Sequence, residues 1–183
     1  VYAKIQFLSA EKQSNPFTFF LTLLKILNQR LVKKRLLLSV SGGVMLGLAW
    51  PTYGFSLLVF FALIPFLFIV EEINSDDKKK KGLRVFGTTY LGILIWNLIS
   101  TLWIYNSTAF GAAFAILCNS SFYAIIFMLY RWSRTRLPQK TSLLFLIVLW
   151  MAFEKFHLYW DFSWPWLNLG NVFSEDILWI QWY

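Results

Sequence analysis

The side chains that could do chemistry are few, and most sit near one end of the chain. Glu154 lies close to the end of a hydrophobic stretch, with Lys155 beside it and His157 just beyond. Directly after comes Trp160-Asp161-Phe162-Ser163-Trp164-Pro165-Trp166-Leu167-Asn168-Leu169-Gly170. Carboxylate, imidazole and thiol are the groups of acid–base and nucleophilic catalysis, so the surroundings of each decide its role. The single Cys118 stands in Phe114-Ala115-Ile116-Leu117-Cys118 with no base near it in sequence, which predicts helix packing rather than reactivity. His157 borders an aromatic belt, where an interfacial ring is the expectation. Glu154 stays open between a functional carboxylate and a structural one. A carboxylate in a membrane helix costs on the order of a few kcal/mol unless paired or wetted, and the adjacent Lys155 does not face it on a helix. No disulfide framework is possible with one cysteine, and no metal or cofactor is expected.

The tryptophan-rich segment fits poorly inside a soluble core, where every indole N–H needs a partner. It fits well at a membrane surface, where an apolar ring meets water at one edge. Composition supports that setting: 58% of the 183 residues are hydrophobic, 14% are charged, and the mean hydropathy is +0.57. Positions 36–70 and 85–130 contain no charge. A helix needs about 20 apolar residues to cross the hydrocarbon of a bilayer, so each run accommodates a pair of spans. The runs do not alternate apolar and polar residues, which excludes an outer-membrane barrel.

Breaks within the runs place the elements. Pro51-Thr52-Tyr53-Gly54 is a turn signal that divides the first run into helices at about 36–50 and 55–70. Asn106 to Gly111 divides the second into about 85–105 and 110–130. A fifth helix covers about 141–158, and a sixth apolar segment, 177–183, begins at Ile177. The predicted fold is all-α, a polytopic transmembrane helical bundle with five spans plus the start of a sixth, in which Pro51, Gly54 and Gly111 are structural turns.

Charge sets the orientation. Lys4, Lys12, Lys25, Arg30, Lys33, Lys34 and Arg35 precede the first span; Lys78 to Lys81 and Arg84 follow the second; Arg131, Arg134, Arg136 and Lys140 follow the fourth. With a cytoplasmic N-terminus all three groups are inside, and of the 17 basic residues only Lys155 falls near the outer face. The positive-inside rule thereby places segment 159–176, with Asp161, Glu175 and Asp176, on the extracytoplasmic side. The net charge of +8 is accounted for by topology, so no nucleic-acid partner is expected. Lys78–Lys81 reads as a solvated loop and topology signal, with specific binding of anionic lipid the lesser alternative. Residues 1–35 form a cytoplasmic N-terminal segment in which Phe17 to Leu27, too short to span, suits an interfacial helix. Residues 36–183 form the membrane domain. The chain begins with Val and stops within an apolar segment, so a fragment of a longer protein is expected.

Several landmarks, in order, resemble the N-terminal membrane portion of the bacterial apolipoprotein N-acyltransferases over roughly residues 36–183. Ala49-Trp50-Pro51-Thr52-Tyr53-Gly54-Phe55, with Pro65 further on, resembles the family's proline–aromatic–glycine hairpin. Gly87 to Gly111, through Trp103-Ile104-Tyr105-Asn106-Ser107, resembles its third helix and the following turn. Trp150 and Glu154 match the tryptophan and glutamate of its fifth helix. Phe162-Ser163-Trp164-Pro165-Trp166-Leu167, with Leu169-Gly170, is similar to its phenylalanine–proline–tryptophan motif and the glycine after it. Ser163-Trp164 enlarges that motif, Asn171 stands where tyrosine is common, and the turn before Phe110 is one residue short.

The resemblance implies an enzyme of the bacterial inner membrane that moves an acyl chain from a phospholipid donor to the α-amine of the S-diacylglyceryl cysteine of a lipoprotein acceptor. It implies ping-pong chemistry through a thioester, performed by a Glu-Lys-Cys triad in a nitrilase-like periplasmic domain beyond this chain. No catalytic residue is then expected here, and the fragment alone is expected to be inactive. Its role is to anchor that domain and help admit lipid. Trp164, Pro165, Trp166, Asn168, Gly170 and Glu154 are the candidates for a substrate entrance or a contact with the catalytic domain. An interfacial belt is the plainer alternative for the tryptophans. Asn168 is placed to bond a head group or a neighbouring loop. Asn97, with Ser100 and Thr101, reads as interhelical glue. Two rivals come from other classes. A small permease or channel would place polar or charged groups near the midplane, where this chain offers only Asn97, Ser100 and Asn119-Ser120-Ser121. A noncatalytic membrane scaffold is the other.

Overall fold

The computed structural model describes residues 16–176, with side chains from residue 29. Contacts divide the chain into two units, Val1–Leu36 and Leu37–Tyr183. Helix α1 runs Pro16–Leu48, α2 Ser56–Asn74, α3 Lys81–Thr101, α4 Ala109–Arg134 and α5 Gln139–His157. After α5 come two 3-10 turns, Pro165–Leu167 and Leu169–Phe173. No strand occurs among the described residues. The segment expected as a sixth span, 177–183, lies outside them.

Each helix end has a local cause. The first helix starts at Pro16, well before Leu36, because no glycine or proline interrupts the sequence between Pro16 and Gly42. Lysine and arginine are good helix formers, so the charges that mark a membrane boundary do not mark a helix boundary. Gly54 ends the turn after α1 with φ +75, a left-handed conformation that a glycine adopts without a Cβ clash. Helix α2 is irregular at its start, a 3-10 turn at Ser56–Leu58, a short helical turn at Val59–Ala62, then Ile64–Asn74. The break precedes Pro65, which has no N–H to offer the carbonyl four residues back. Past α3 the chain tightens into a 3-10 turn at Leu102–Asn106. Thr108 then caps α4, its Oγ1 accepting from the Gly111 amide at 3.3 Å.

Among the described residues, three helical stretches are long and apolar enough to cross a membrane, namely Ser56–Asn74, Lys81–Asn106 and Ala109–Arg134. The chain is a membrane protein. Helix α5 has 19 residues, comparable to the shortest of these, but carries Lys140, Glu154 and Lys155 towards its ends.

The helices meet where side chains vanish. A Cβ on Gly43 would lie 2.1 Å from the Gly92 carbonyl oxygen, and one on Gly92 would lie 2.3 Å from the Ser39 carbonyl oxygen. Backbone therefore touches backbone between α1 and α3, as small residues permit in membrane bundles. Ser39 seals the contact by donating its Oγ–H to the Thr88 carbonyl at 2.5 Å. Phe66 of α2 fills the slot, 2.6 Å from where a Gly42 Cβ would stand. It stacks on Phe127 of α4 with centroids 5.0 Å apart, and Phe127 meets Trp150 of α5 edge-on at 6.0 Å.

Polar groups within the bundle bond mostly to their own helices. Thr89, Thr101 and Ser120 donate to carbonyls four residues back at 2.9, 2.7 and 2.7 Å. Asn97 donates to Ile93 at 3.0 Å and accepts from Asn119 of α4 at 3.0 Å, the one buried side-chain pair among the described residues that links α3 to α4. At the end where α2 and α4 finish, Arg134 grips both Glu71 oxygens and Arg131 donates to Asn74 at 3.1 Å.

Substituting Gly43 by alanine is expected to force α1 from α3 and lower the thermal midpoint of the detergent-solubilised protein by several degrees, a loss of about 1–3 kcal/mol. Gly87→Ala, where nothing lies within 4 Å of the added Cβ, should leave the midpoint unchanged or raise it. Equal effects at the two positions would show that the close approach does not limit stability.

Candidate functional site

The segment after α5 is held by bonds from three elements. Glu154, on the last turns of α5, accepts through Oε1 from the Trp150 indole at 2.9 Å and from the Leu169 amide at 2.8 Å. The first bond runs along one helix face and aims the carboxylate; the second fastens the loop to it. Tyr123, buried in the middle of α4, donates its hydroxyl to the Leu167 carbonyl at 3.2 Å. Asn171 donates Nδ2 to the Pro165 carbonyl at 2.8 Å and to the Trp166 carbonyl at 3.3 Å. Leu167 and Val172 are buried and insert into the hydrophobic core.

Under Leu167 lies an aromatic cluster. Tyr123 touches Trp96, Trp150 and Phe153 with centroids 5.2, 4.8 and 5.0 Å apart, and Trp96 meets Trp50 at 5.8 Å. A phenol in such surroundings needs a hydrogen-bond partner, and the loop carbonyl supplies it. Sequence reasoning missed Tyr123 and Asn171 as part of the site. The available signal was a tyrosine in the middle of an apolar helix, but its partner is 44 residues away.

The three tryptophans take three different positions. Trp160 donates its indole N–H to His157 Nδ1 at 2.8 Å and packs against Phe122 and Phe156 at 5.5 and 5.3 Å. Trp164 is half-buried, and its indole nitrogen has no partner among the described residues. Trp166 is about half exposed (51%) and stands perpendicular to Trp103, in the 3-10 turn after α3, with centroids 5.5 Å apart. Phe162 and Tyr159 are exposed nearby. Pro165 opens the 3-10 turn that sends Trp164 and Trp166 to different surroundings.

Asn168 presents an unpartnered, buried Oδ1. Gly170 is exposed with open space where a Cβ would go, and nothing in the structure explains its being glycine. His157 is buried (2% exposed) and stacks on Phe153 at 5.0 Å, so its ring lies inside the bundle rather than along an interface. Lys155 donates to the Tyr159 hydroxyl at 3.0 Å and lies over its ring. That ammonium holds the exposed Tyr159 phenol below its ordinary value. Cys118 is partly buried on α4. Of the turn residues, Pro51 and Gly54 lie in the α1–α2 connection and Gly111 in the first turn of α4. What the arrangement does physically is fix a loop at one end of the bundle, with Trp103, Trp166 and Phe162 left outward.

The chain matches the family model described as the apolipoprotein N-acyltransferase N-terminal domain over residues 42–183. It is also similar to an apolipoprotein N-acyltransferase of Chlorobaculum tepidum, with 26% identity over 157 residues. That alignment takes in 84% of this chain and 28% of the relative, so the chain spans little more than a quarter of the relative's length. No solved structure matches the chain significantly.

Replacing Glu154 by leucine removes both acceptor contacts and is expected to destabilise the loop by about 2–4 kcal/mol, read as faster proteolysis within 160–175 and a lower thermal midpoint. Glu154→Gln keeps an oxygen for both donors and should have less than half the effect. Equal losses would mean that the charge matters more than the two bonds.

Proposed function

Since the chain belongs to the apolipoprotein N-acyltransferase family, we propose that it is the membrane domain of an enzyme transferring an acyl chain from phospholipid to the N-terminal S-diacylglyceryl-cysteine amine of lipoproteins. Its task in that enzyme is to anchor a catalytic domain and to admit lipid substrates. Catalysis would reside in a Glu-Lys-Cys domain outside this chain, and the fragment alone would be inactive. The setting is the bacterial inner membrane, crossed five times with a sixth span beginning at Ile177. Residues 1–35 would be cytoplasmic, 36–183 the membrane domain, and 159–176 periplasmic.

The observation that carries this reading is the fastening of the segment after α5. A belt of tryptophans needs only to float at the interface. Here Glu154, Tyr123 and Asn171 bind the loop backbone, while Trp166 and Phe162 remain exposed. Holding the backbone while leaving the rings outward suits a wall past which lipid is handed to a neighbouring domain, because positioned aromatic surface contributes contact with little loss of side-chain freedom. Trp164, Pro165 and Trp166 form that wall. Asn168, whose Oδ1 is buried without a partner among the described residues, would bond a head group or the catalytic domain when the loop meets one, and Gly170 leaves open space where a Cβ would stand. Glu154 acts as the fastener, a positioning residue rather than a proton carrier.

In the intact parent protein, Trp164→Ala with Trp166→Ala should lower acyl transfer on the order of tenfold, more than it lowers the amount of protein in the membrane. Unchanged transfer would leave the tryptophans as a belt. Orientation has its own check. In a Cys118→Ser background, a cysteine at Ser174 should react with a membrane-impermeant maleimide added outside spheroplasts, and a cysteine at Ser75 should not. The reverse pattern would invert the topology.

A further inference from the structure

The end of the bundle away from the tryptophan segment carries a surplus of positive charge. Within residues 71–84 and 131–140, nine basic residues stand against four acidic ones. Two of those carboxylates are already held, Glu71 by Arg134 and Asp76 by Arg84. Lys81 donates to the Asn74 carbonyl at 2.8 Å, and Arg131 donates to the Asn74 side chain at 3.1 Å. Gly82 lies against α4, since a Cβ there would stand 3.7 Å from Met128 and 3.9 Å from Arg131 Nη1. These contacts join the end of α2, the start of α3 and the end of α4 into one surface.

Lys79, Lys80, Arg136 and Lys140 are exposed on it, and none is paired with a carboxylate among the described residues. Lys80 is held at φ +57, a left-handed conformation that disfavours any residue with a Cβ, and its side chain is still exposed. Apolar groups are interleaved with these cations. Leu83 in the first turn of α3, Trp132 in the last turn of α4 and Leu137 just after it are all exposed. The Arg136 guanidinium lies 4.3 Å from the centroid of the Trp132 ring, so a cation and an interfacial ring share one level.

That mixture selects the partner. A soluble polyanion would meet the cations and leave Leu83, Trp132 and Leu137 in water. A phospholipid meets both, with its phosphate at the level of the basic heads and its upper acyl chains against the rings and leucines. A zwitterionic head group would bring an ammonium among lysines where Glu71 and Asp76 are already held by arginines. A head group with a phosphate and no cation avoids that repulsion.

We propose that this surface binds an anionic glycerophospholipid of the phosphatidylglycerol type as a resident lipid of the leaflet at that end. Its phosphate lies among the exposed cations of the α2–α3 and α4–α5 connections, and its chains lie along Leu83 and Trp132. It sits at the opposite end from the loop after α5, so it is not the acyl donor, and the proposal stands apart from the entrance reading.

The test is native mass spectrometry of the full chain in detergent with equimolar dioleoyl phosphatidylglycerol and dioleoyl phosphatidylcholine. At least about fivefold more phosphatidylglycerol should remain bound. Lys80→Gln with Arg136→Gln should lower that preference about fivefold or more, and Lys80→Arg with Arg136→Lys, which keeps both charges, should retain it. Lys4→Gln with Lys12→Gln removes the same charge elsewhere and should change it less. Equal binding of the two lipids by the unaltered chain would overturn the proposal, and that arm needs no variant to fold. Equal losses in K80Q/R136Q and K4Q/K12Q would also overturn it, because net charge alone would then account for the preference. Displacement of the lipid by glycerol 3-phosphate at matched ionic strength would show that Leu83 and Trp132 contribute nothing and would sink the lipid assignment. None of these failures touches the tryptophan wall, whose own test is acyl transfer.

Discussion

The contact of backbone with backbone at Gly43 and Gly92 governs the rest of the bundle. In lipid there is no hydrophobic drive for one apolar helix to seek another, so association depends on close packing and on hydrogen bonds. Two glycines facing each other, with Ser39 donating across to Thr88, bring α1 and α3 close and leave a slot beside them. Phe66 occupies the slot and stacks on Phe127, which abuts Trp150. The indole of Trp150 then donates to Glu154, and the same carboxylate oxygen accepts from Leu169. One continuous series of contacts therefore leads from a glycine pair between α1 and α3 to the loop after α5.

Glu154 is the point where packing becomes site geometry. An ionised carboxylate in this position needs donors, and it has two, neither of them a cation. Lys155 turns away to Tyr159, as adjacent positions on a helix must. The loop is thus held by an acceptor on α5, a donor on α4 and its own Asn171. Those bonds fall on backbone atoms of residues 165–169, which leaves the side chains of Trp164 and Trp166 for other uses. The tryptophans look alike in sequence but not in place: Trp160 is bonded to His157, Trp164 borders a cavity, and Trp166 stands half out of the bundle against Trp103.

Much of this was legible in the sequence because it depends on local signals. Uncharged runs, the Pro51–Gly54 turn and the break before Gly111 locate helices through hydropathy and turn chemistry, and the interhelical role of Asn97 follows from an amide in an apolar helix. The start of α1 was not legible, since charge reports the membrane surface while helix propensity continues across Lys33, Lys34 and Arg35 to Pro16. The loop partners of Glu154 and Tyr123 were hidden for a different reason. They are main-chain groups of a loop, and backbone N–H and C=O groups carry no residue-specific signature. His157 misled in the same way: its neighbours in sequence are interfacial types, but its neighbours in space are Phe122 and Phe153.

The two ends of the bundle are fastened by different physics, and this bears on where a lipid can be handled. At the basic end, Arg134 with Glu71, Arg84 with Asp76 and Arg131 with Asn74 join helix ends through long charged side chains. Such pairs tolerate water and favour a surface that stays polar. At the tryptophan end the fasteners are one carboxylate, one phenol and one amide, all bonded to backbone atoms of the loop. That end has apolar rings outside and, just beneath them, polar atoms on Asn119, His157, Trp164 and Asn168 that have no partner among the described residues. Buried polar atoms without partners are costly, and in a protein interior they are few. Three of these four residues border a single cavity, so the cost of unpaired polar groups is concentrated at the end that carries the tryptophans.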